Sequence, residues 1–190
     1  MTLNSSEQAD RNARIDNRLK LLAHPDRLLG IQTGDFAAPI LIDIDPVDGV
    51  CNLDCEWCCQ AASRASRPTK FMSEETMRRL GPFSRDWGVK SWRIAGDSEP
   101  LLNKNINVLI ASGAEAGIDM GLITNGVYLE RITPESLERL DWLGVSLDAG
   151  TAETWSRLKK SPAENFEKIL ENIAAVRAKA PKLDVAIKFL

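Results

Sequence analysis

The sequence has one histidine, no dense run of lysine or arginine, and nowhere the roughly 18 consecutive apolar residues that a membrane-spanning helix takes. A single histidine excludes metal sites built from several histidines. A net charge of −3 with scattered cations gives no electrostatic case for nucleic acid, which calls for a clustered basic face. The polar start, MTLNSSEQADRNAR, lacks the apolar segment of a secretory signal, and with no membrane segment the expected location is the cytoplasm. The four cysteines crowd into positions 51–59, so no disulfide framework spans the fold, and a reducing compartment suits such thiols. No internal repeat or low-complexity segment is present beyond an alternation of strands and helices.

What is there is enough for one sizeable core: 190 residues, 44% of them hydrophobic. Residues 1–14 have the Ser, Asn, Gln and charge content of a mobile tail. From Ile15 to Leu29 apolar residues recur at helical spacing, interrupted at His24-Pro25, which reads as a helix broken by proline and followed by a short helical turn. This places an N-terminal tail and helical segment at 1–38 and a core domain at 39–190.

Within the core, apolar runs at 40–44, 91–95, 119–123, 143–147 and 184–190 read as strands separated by helices, the signature of an α/β protein with a parallel sheet. Ser73 caps a helix whose first turn carries Glu74 and Glu75. Thr133-Pro134-Glu135 gives the same start signal. Ser161 and Glu164 form a capping box ahead of a helix that places Phe166, Ile169, Leu170, Ile173 and Val176 on one face. Such a stripe is core packing.

The chemistry-bearing motif is CNLDCEWC, which sets Cys51, Cys55 and Cys58 at CxxxCxxC spacing on a short loop. That spacing suits three ligands of an iron–sulfur cluster, leaving one iron without a cysteine and open to substrate or cofactor. The alternative is a structural zinc site, which needs a fourth ligand. Only Cys59 and His24 are candidates: Cys59 diverges from its neighbour Cys58 on an extended chain, and His24 lies far upstream. Spacing therefore favours the cluster, and Cys59 is left without a ligand role.

The chain resembles the radical S-adenosylmethionine (radical SAM) enzymes. The resemblance rests on the cysteine motif, on Trp57 before its last cysteine, on RIAGDSEPLLN as a glycine-rich strand end followed by Glu-Pro, on LITNG as a third strand end, and on VSLDAGTAETW as a fourth strand and turn. It runs from about Ile40 to the C-terminus. It implies a partial (β/α)6-type TIM-like barrel with parallel strands, of which about five βα units are present, preceded by the N-terminal helical segment. The sequence stops at AIKFL where a sixth strand would follow. An edge carrying Val185, Ile187 and Phe189 invites aggregation, so the expectation is that a missing C-terminal part, or a partner, completes the barrel.

The resemblance also implies a [4Fe–4S] cluster on Cys51, Cys55 and Cys58, with S-adenosylmethionine on the fourth iron. Reductive cleavage of that cofactor would give a 5′-deoxyadenosyl radical that abstracts hydrogen from an unidentified substrate, a small molecule or a peptide. The usual reductant would be a flavodoxin or ferredoxin. Gly96, Asp97, Ser98 and Glu99 align with the family's glycine-rich stretch, although Asp97 and Ser98 stand where glycines are usual. Glu99 is expected to receive the cofactor's ammonium. Thr124 and Asn125 end the third strand, while Ser146 and Asp148, placed on one strand face by two-residue alternation, suit ribose hydroxyls. Trp57 would shield the cluster or contact adenine through its backbone. Lys188 points either to the cofactor's carboxylate or to solvent. Two further readings stand beside this one: a zinc-binding structural or interaction domain, and a degenerate, partner-dependent relative without activity.

Overall fold

The computed structural model describes residues 24–190, so the expected tail at 1–14 and the helical stretch from Ile15 to Ala23 lie outside the described residues. Helix α1, Pro25–Thr33, begins with proline at its first turn and ends where Gly34 takes a left-handed φ of 79°. It is a full helix of 9 residues rather than the short turn expected after His24-Pro25. Residues Pro39–Leu190 form a separate compact unit, which carries everything described below.

Five strands make one sheet: β1 (Leu41–Ile44), β4 (Ser91–Ile94), β5 (Asp119–Thr124), β6 (Trp142–Ser146) and β7 (Asp184–Lys188). They lie in the order β1-β4-β5-β6-β7, every neighbouring pair parallel, with Leu41 opposite Ser91, Ser91 opposite Asp119, Gly121 opposite Trp142 and Trp142 opposite Asp184. Parallel neighbours need crossovers, and helices α3 (Glu74–Trp87), α4 (Ile106–Glu115), α5 (Pro134–Leu137), α6 (Ala152–Lys159) and α7 (Glu164–Lys179) supply them. The sheet stays open, with β1 and β7 as its edges. Two elements carried no clear sequence signal: the two-stranded hairpin β2 (Val47–Asp48) with β3 (Lys70–Phe71), and the short helix α2 (Ala61–Ala65).

The core lies between the sheet and the helices. Trp92, Ile94, Met120, Leu122, Leu143 and Val145, alternating along β4, β5 and β6, are all buried. Against them α3 and α4 pack closely enough that a Cβ on Gly81 would stand 2.0 Å from the Ser112 carbonyl oxygen. Ser112 also repairs a defect in α3. Pro82 has no N–H to give the Arg78 carbonyl one turn back. The Ser112 hydroxyl donates to that carbonyl at 3.0 Å and accepts from the Gly81 N–H at 3.1 Å.

Ser73 and Thr133 cap α3 and α5 as their sequences foretell, accepting from the N–H groups of Thr76 and Ser136. The capping box of Ser161 and Glu164 does not form. Pro162 and Ala163 already turn helically, their carbonyls accepting from the N–H groups of Asn165 and Phe166, and Ser161 accepts instead from the Asn165 side chain. Along α7 Phe166, Ile169 and Val176 are buried, Ile173 is half-buried and Leu170 is exposed. Because all five strands run the same way, their C-terminal ends share one edge of the sheet, where loops gather functional groups.

Candidate functional site

The cysteine loop follows β2 and ends in α2. Cys51, Cys55 and Cys58 are half-buried and Cys59 is exposed; burial pushes the Cys51 and Cys55 thiols above their ordinary range. The loop gets its path from a distant element. The N–H groups of Asp54 and Glu56 donate to the carbonyls of Lys159 and Leu158 at the C-terminal end of α6, at 3.4 and 2.9 Å. There the Lys159 side chain turns inward, its ammonium 2.5 Å from an Asp148 carboxylate oxygen and 5.1 Å from the centre of the Trp57 ring. Both members of this ion pair are 3% exposed. Asp148 holds a left-handed φ of 62°, and its other oxygen accepts from the Leu190 N–H at 3.0 Å.

The loop after β4 forms the facing wall. Gly96 has φ 147°, and a Cβ there would stand 2.0 Å from the Asp45 carboxyl carbon, so the chain passes too close for any side chain. Asp45 accepts from the Asp97 and Val47 N–H groups at 3.1 and 3.3 Å, while burial pushes its carboxyl above the usual range. Ser98 is buried at this wall, and its hydroxyl has no hydrogen-bond partner among the described residues. Glu99 is 3% exposed. One of its oxygens accepts from the Leu101 N–H at 3.0 Å and the Thr124 hydroxyl at 2.6 Å, the other from the Asn125 N–H at 2.8 Å. Burial raises the Glu99 carboxyl against the pull of these bonds. It is not a solvated loop acid.

Thr124 and Asn125 join the strand end to the cysteine loop: the Asn125 side-chain amide donates to Asn52 at 2.8 Å, and its Oδ1 accepts from the Val127 N–H at 3.1 Å. Ser146 closes β6. The expected shared face with Asp148 fails, because the strand stops at Ser146 and the left-handed turn at Asp148 breaks two-residue alternation. Both residues still border the same space. Trp57, the three cysteines, Gly96 through Glu99, Thr124, Asn125, Ser146 and Asp148 all line one cleft of about 740 Å³. Lys188 pairs with Ser146 in register yet has an exposed side chain and is not among the lining residues.

Two charged lining residues escaped the sequence reading, Arg64 and Lys159. Arg64 is buried; one of its amino groups donates to the Cys58 sulfur at 3.1 Å and to the Asp97 carbonyl at 2.7 Å. Lys159 had a signal, since it stands four residues after the buried Trp155 and so faces inward on α6. Arg64 had none, because its partners come from the loops after β2 and β4.

Residues 47–187 match the family model of the radical SAM superfamily. The chain belongs to this superfamily. The AdoMet-dependent heme synthase of Methanosarcina barkeri is 32% identical over 145 residues, which cover 74% of this chain and 40% of that protein. A probable GTP 3′,8-cyclase of Methanocaldococcus jannaschii is 31% identical over 112 residues, covering 58% of this chain and 37% of its own length. The chain thus spans well under half of either relative. Among solved structures, Streptococcus suis SuiB bound to S-adenosylmethionine superimposes with a TM-score of 0.59 at 18% identity, covering 100% of this chain and 39% of that one. That likeness concerns the fold, the open parallel sheet with its helices. Radical SAM proteins are enzymes that use S-adenosylmethionine and an iron–sulfur cluster.

The residues present fit such groups. The donor set is three thiols on one loop that line the same cleft, the soft ligand type an iron–sulfur cluster takes. Among the described residues no helix is long and apolar enough to cross a membrane.

Proposed function

We propose that this chain is the cofactor-binding part of a radical SAM enzyme that removes hydrogen from a carbon of its substrate. The reading is carried by one observation: three thiols, a glycine-bounded acidic loop and polar strand ends face one another across a single cleft. Cys51, Cys55 and Cys58 would hold a [4Fe–4S] cluster, and the loop from Gly96 to Glu99 would hold S-adenosylmethionine. When bound, these groups supply the reductive homolysis that makes hydrogen abstraction from an unactivated carbon feasible.

The chain's own residues bind, orient and exclude water. Gly96 lets the loop close onto Asp45, which fixes the wall of the cleft. The Ser98 hydroxyl offers a hydrogen bond that none of the described residues takes. Glu99 is fixed by three donors, and the oxygen that takes only one of them can accept from a ligand ammonium, a charge-assisted bond of about 1.5–3 kcal/mol. Ser146 offers a hydroxyl to the same cleft. Trp57, Leu53 and Ile123 supply the apolar parts of the lining that keep water out. Asp148 is held by Lys159 and Leu190, so it shapes the cleft from within its ion pair.

The substrate is a small molecule or peptide, the reductant is of the flavodoxin or ferredoxin class, and the enzyme works in the reducing cytoplasm. Anaerobic reconstitution with iron and sulfide, followed by dithionite and S-adenosylmethionine, tests the reading, with Cys51/Cys55/Cys58→Ala protein as control. Formation of 5′-deoxyadenosine only with the cysteines intact supports it. Stoichiometric zinc with no cluster would sink it. A cluster that binds the cofactor without cleaving it would mark the degenerate relative.

A further inference from the structure

The buried guanidinium of Arg64 has no carboxylate within ion-pair distance among the described residues. Its amino group divides its donors between the Cys58 sulfur, 3.1 Å away, and the Asp97 carbonyl, 2.7 Å away. A buried cation without a counter-charge is costly, so one is expected nearby, and the group in reach that would supply it as a cluster ligand is the sulfur of Cys58. Lys159, the other buried cation of the cleft, is already matched by Asp148. The two cations therefore differ in kind: Lys159 belongs to a closed pair, and the charge of Arg64 is directed at the ligand set.

We propose that Arg64 sets the reduction potential of the cluster by donating a charge-assisted hydrogen bond to its Cys58 ligand, and that the same guanidinium ties that ligand to the loop that binds S-adenosylmethionine. The inference rests on the cluster assignment above. Hydrogen bonds to ligand sulfurs and nearby charge are the levers by which a protein tunes such a centre. A cluster on three thiolates gains one negative charge on reduction. A donor cation against one of those sulfurs stabilises the more negative form, so the potential rises. Because Asp97 follows Gly96 in the loop, movement of Cys58 is transmitted to the cofactor wall through one side chain.

The test compares wild-type, R64K and R64Q proteins, each reconstituted anaerobically in the full chain. The midpoint is read by dithionite titration followed by electron paramagnetic resonance, and the iron–cysteine sulfur bonds by resonance Raman. R64Q is expected to be about tenfold harder to reduce at a fixed potential, ~59 mV more negative for a one-electron couple, with its iron–sulfur stretches moved up. R64K, which keeps the charge without the fork of donors, is expected to fall between the two. If R64Q fails to retain a cluster, R64K decides by the same two readouts, and a wild-type midpoint with wild-type stretches would overturn the assignment. A wild-type protein that assembles no cluster sinks the functional reading and this inference together. A wild-type cluster whose potential R64Q leaves unmoved sinks the inference alone.

Discussion

Replacing Lys159 with methionine isolates the contact that seats the cysteine loop. Methionine preserves the apolar stem but deletes the ammonium, leaving the Asp148 carboxylate 3% exposed without its counter-ion. Breaking one side of a buried ion pair costs about 3–5 kcal/mol, because the remaining charge is uncompensated. Loss of the contact with the Trp57 ring adds about 0.5–2 kcal/mol. Lys159→Met is therefore expected to lower unfolding free energy by about 4 kcal/mol. The double variant Asp148→Asn/Lys159→Met removes both charges; its asparagine still accepts from the Leu190 N–H and tolerates the left-handed φ. It should be only about 1–2 kcal/mol below wild type, so that removing the Asp148 charge in the Lys159→Met background recovers about 2–3 kcal/mol. Guanidinium unfolding followed by circular dichroism measures all four corners of this cycle. If Lys159→Met costs under about 1 kcal/mol, or the two changes simply add, the pair does not carry the loop and the reasoning fails.

Ser112→Ala should cost about 1–3 kcal/mol by stranding the Arg78 carbonyl, and Pro82→Ala in that background should recover most of it by restoring the missing N–H; denaturant melts decide. Gly96→Ala should abolish binding of S-adenosylmethionine in calorimetry, since its Cβ would stand 2.0 Å from the Asp45 carboxyl carbon. Glu99 has its carboxyl raised by burial, so the folded state holds this proton more tightly than the unfolded chain. Its contribution to stability is therefore best near and below the unfolded value, and falls as pH rises from there through the folded one. The stability of wild type relative to Glu99→Gln should decline over that window, and a flat difference would show that burial does not govern the group. Cys59→Ala should leave iron content at the wild-type level, whereas alanine at Cys51, Cys55 or Cys58 should deplete it, as colorimetric iron assay would show.

Periodicity located every strand of the sheet to within two residues, because hydrophobic alternation is a local property that burial against helices enforces. The walls of the cleft were legible for a related reason: in a parallel sheet, polar residues at the ends of apolar runs must gather at one edge. What escaped was set by contacts between distant segments. Arg64 is six residues past Cys58, yet half of its bonding goes to Asp97. The role of Ser112 depends on a proline 30 residues earlier, in another helix. Ser161 misled because its box is a local pattern, and the turn through Pro162 and Ala163 satisfied the backbone first. Lys188 was undecided from sequence because a charge on an edge strand can face either way, and its side chain is exposed.

The docking of the cysteine loop on α6 also dictates an order of events. Asp54 and Lys160 are 106 positions apart and joined at 3.3 Å, beside the two backbone bonds that fix Asp54 and Glu56. Closing so long a span is a late step in folding, since the entropy of the intervening chain must be lost first. The cysteine loop precedes α6 in the chain but reaches its native path only once the fourth strand of the sheet and the helix after it are in place. On the function proposed above, premature metal capture would meet a loop with the right thiols on the wrong track, so loading of the centre is best timed to follow the chain's own collapse.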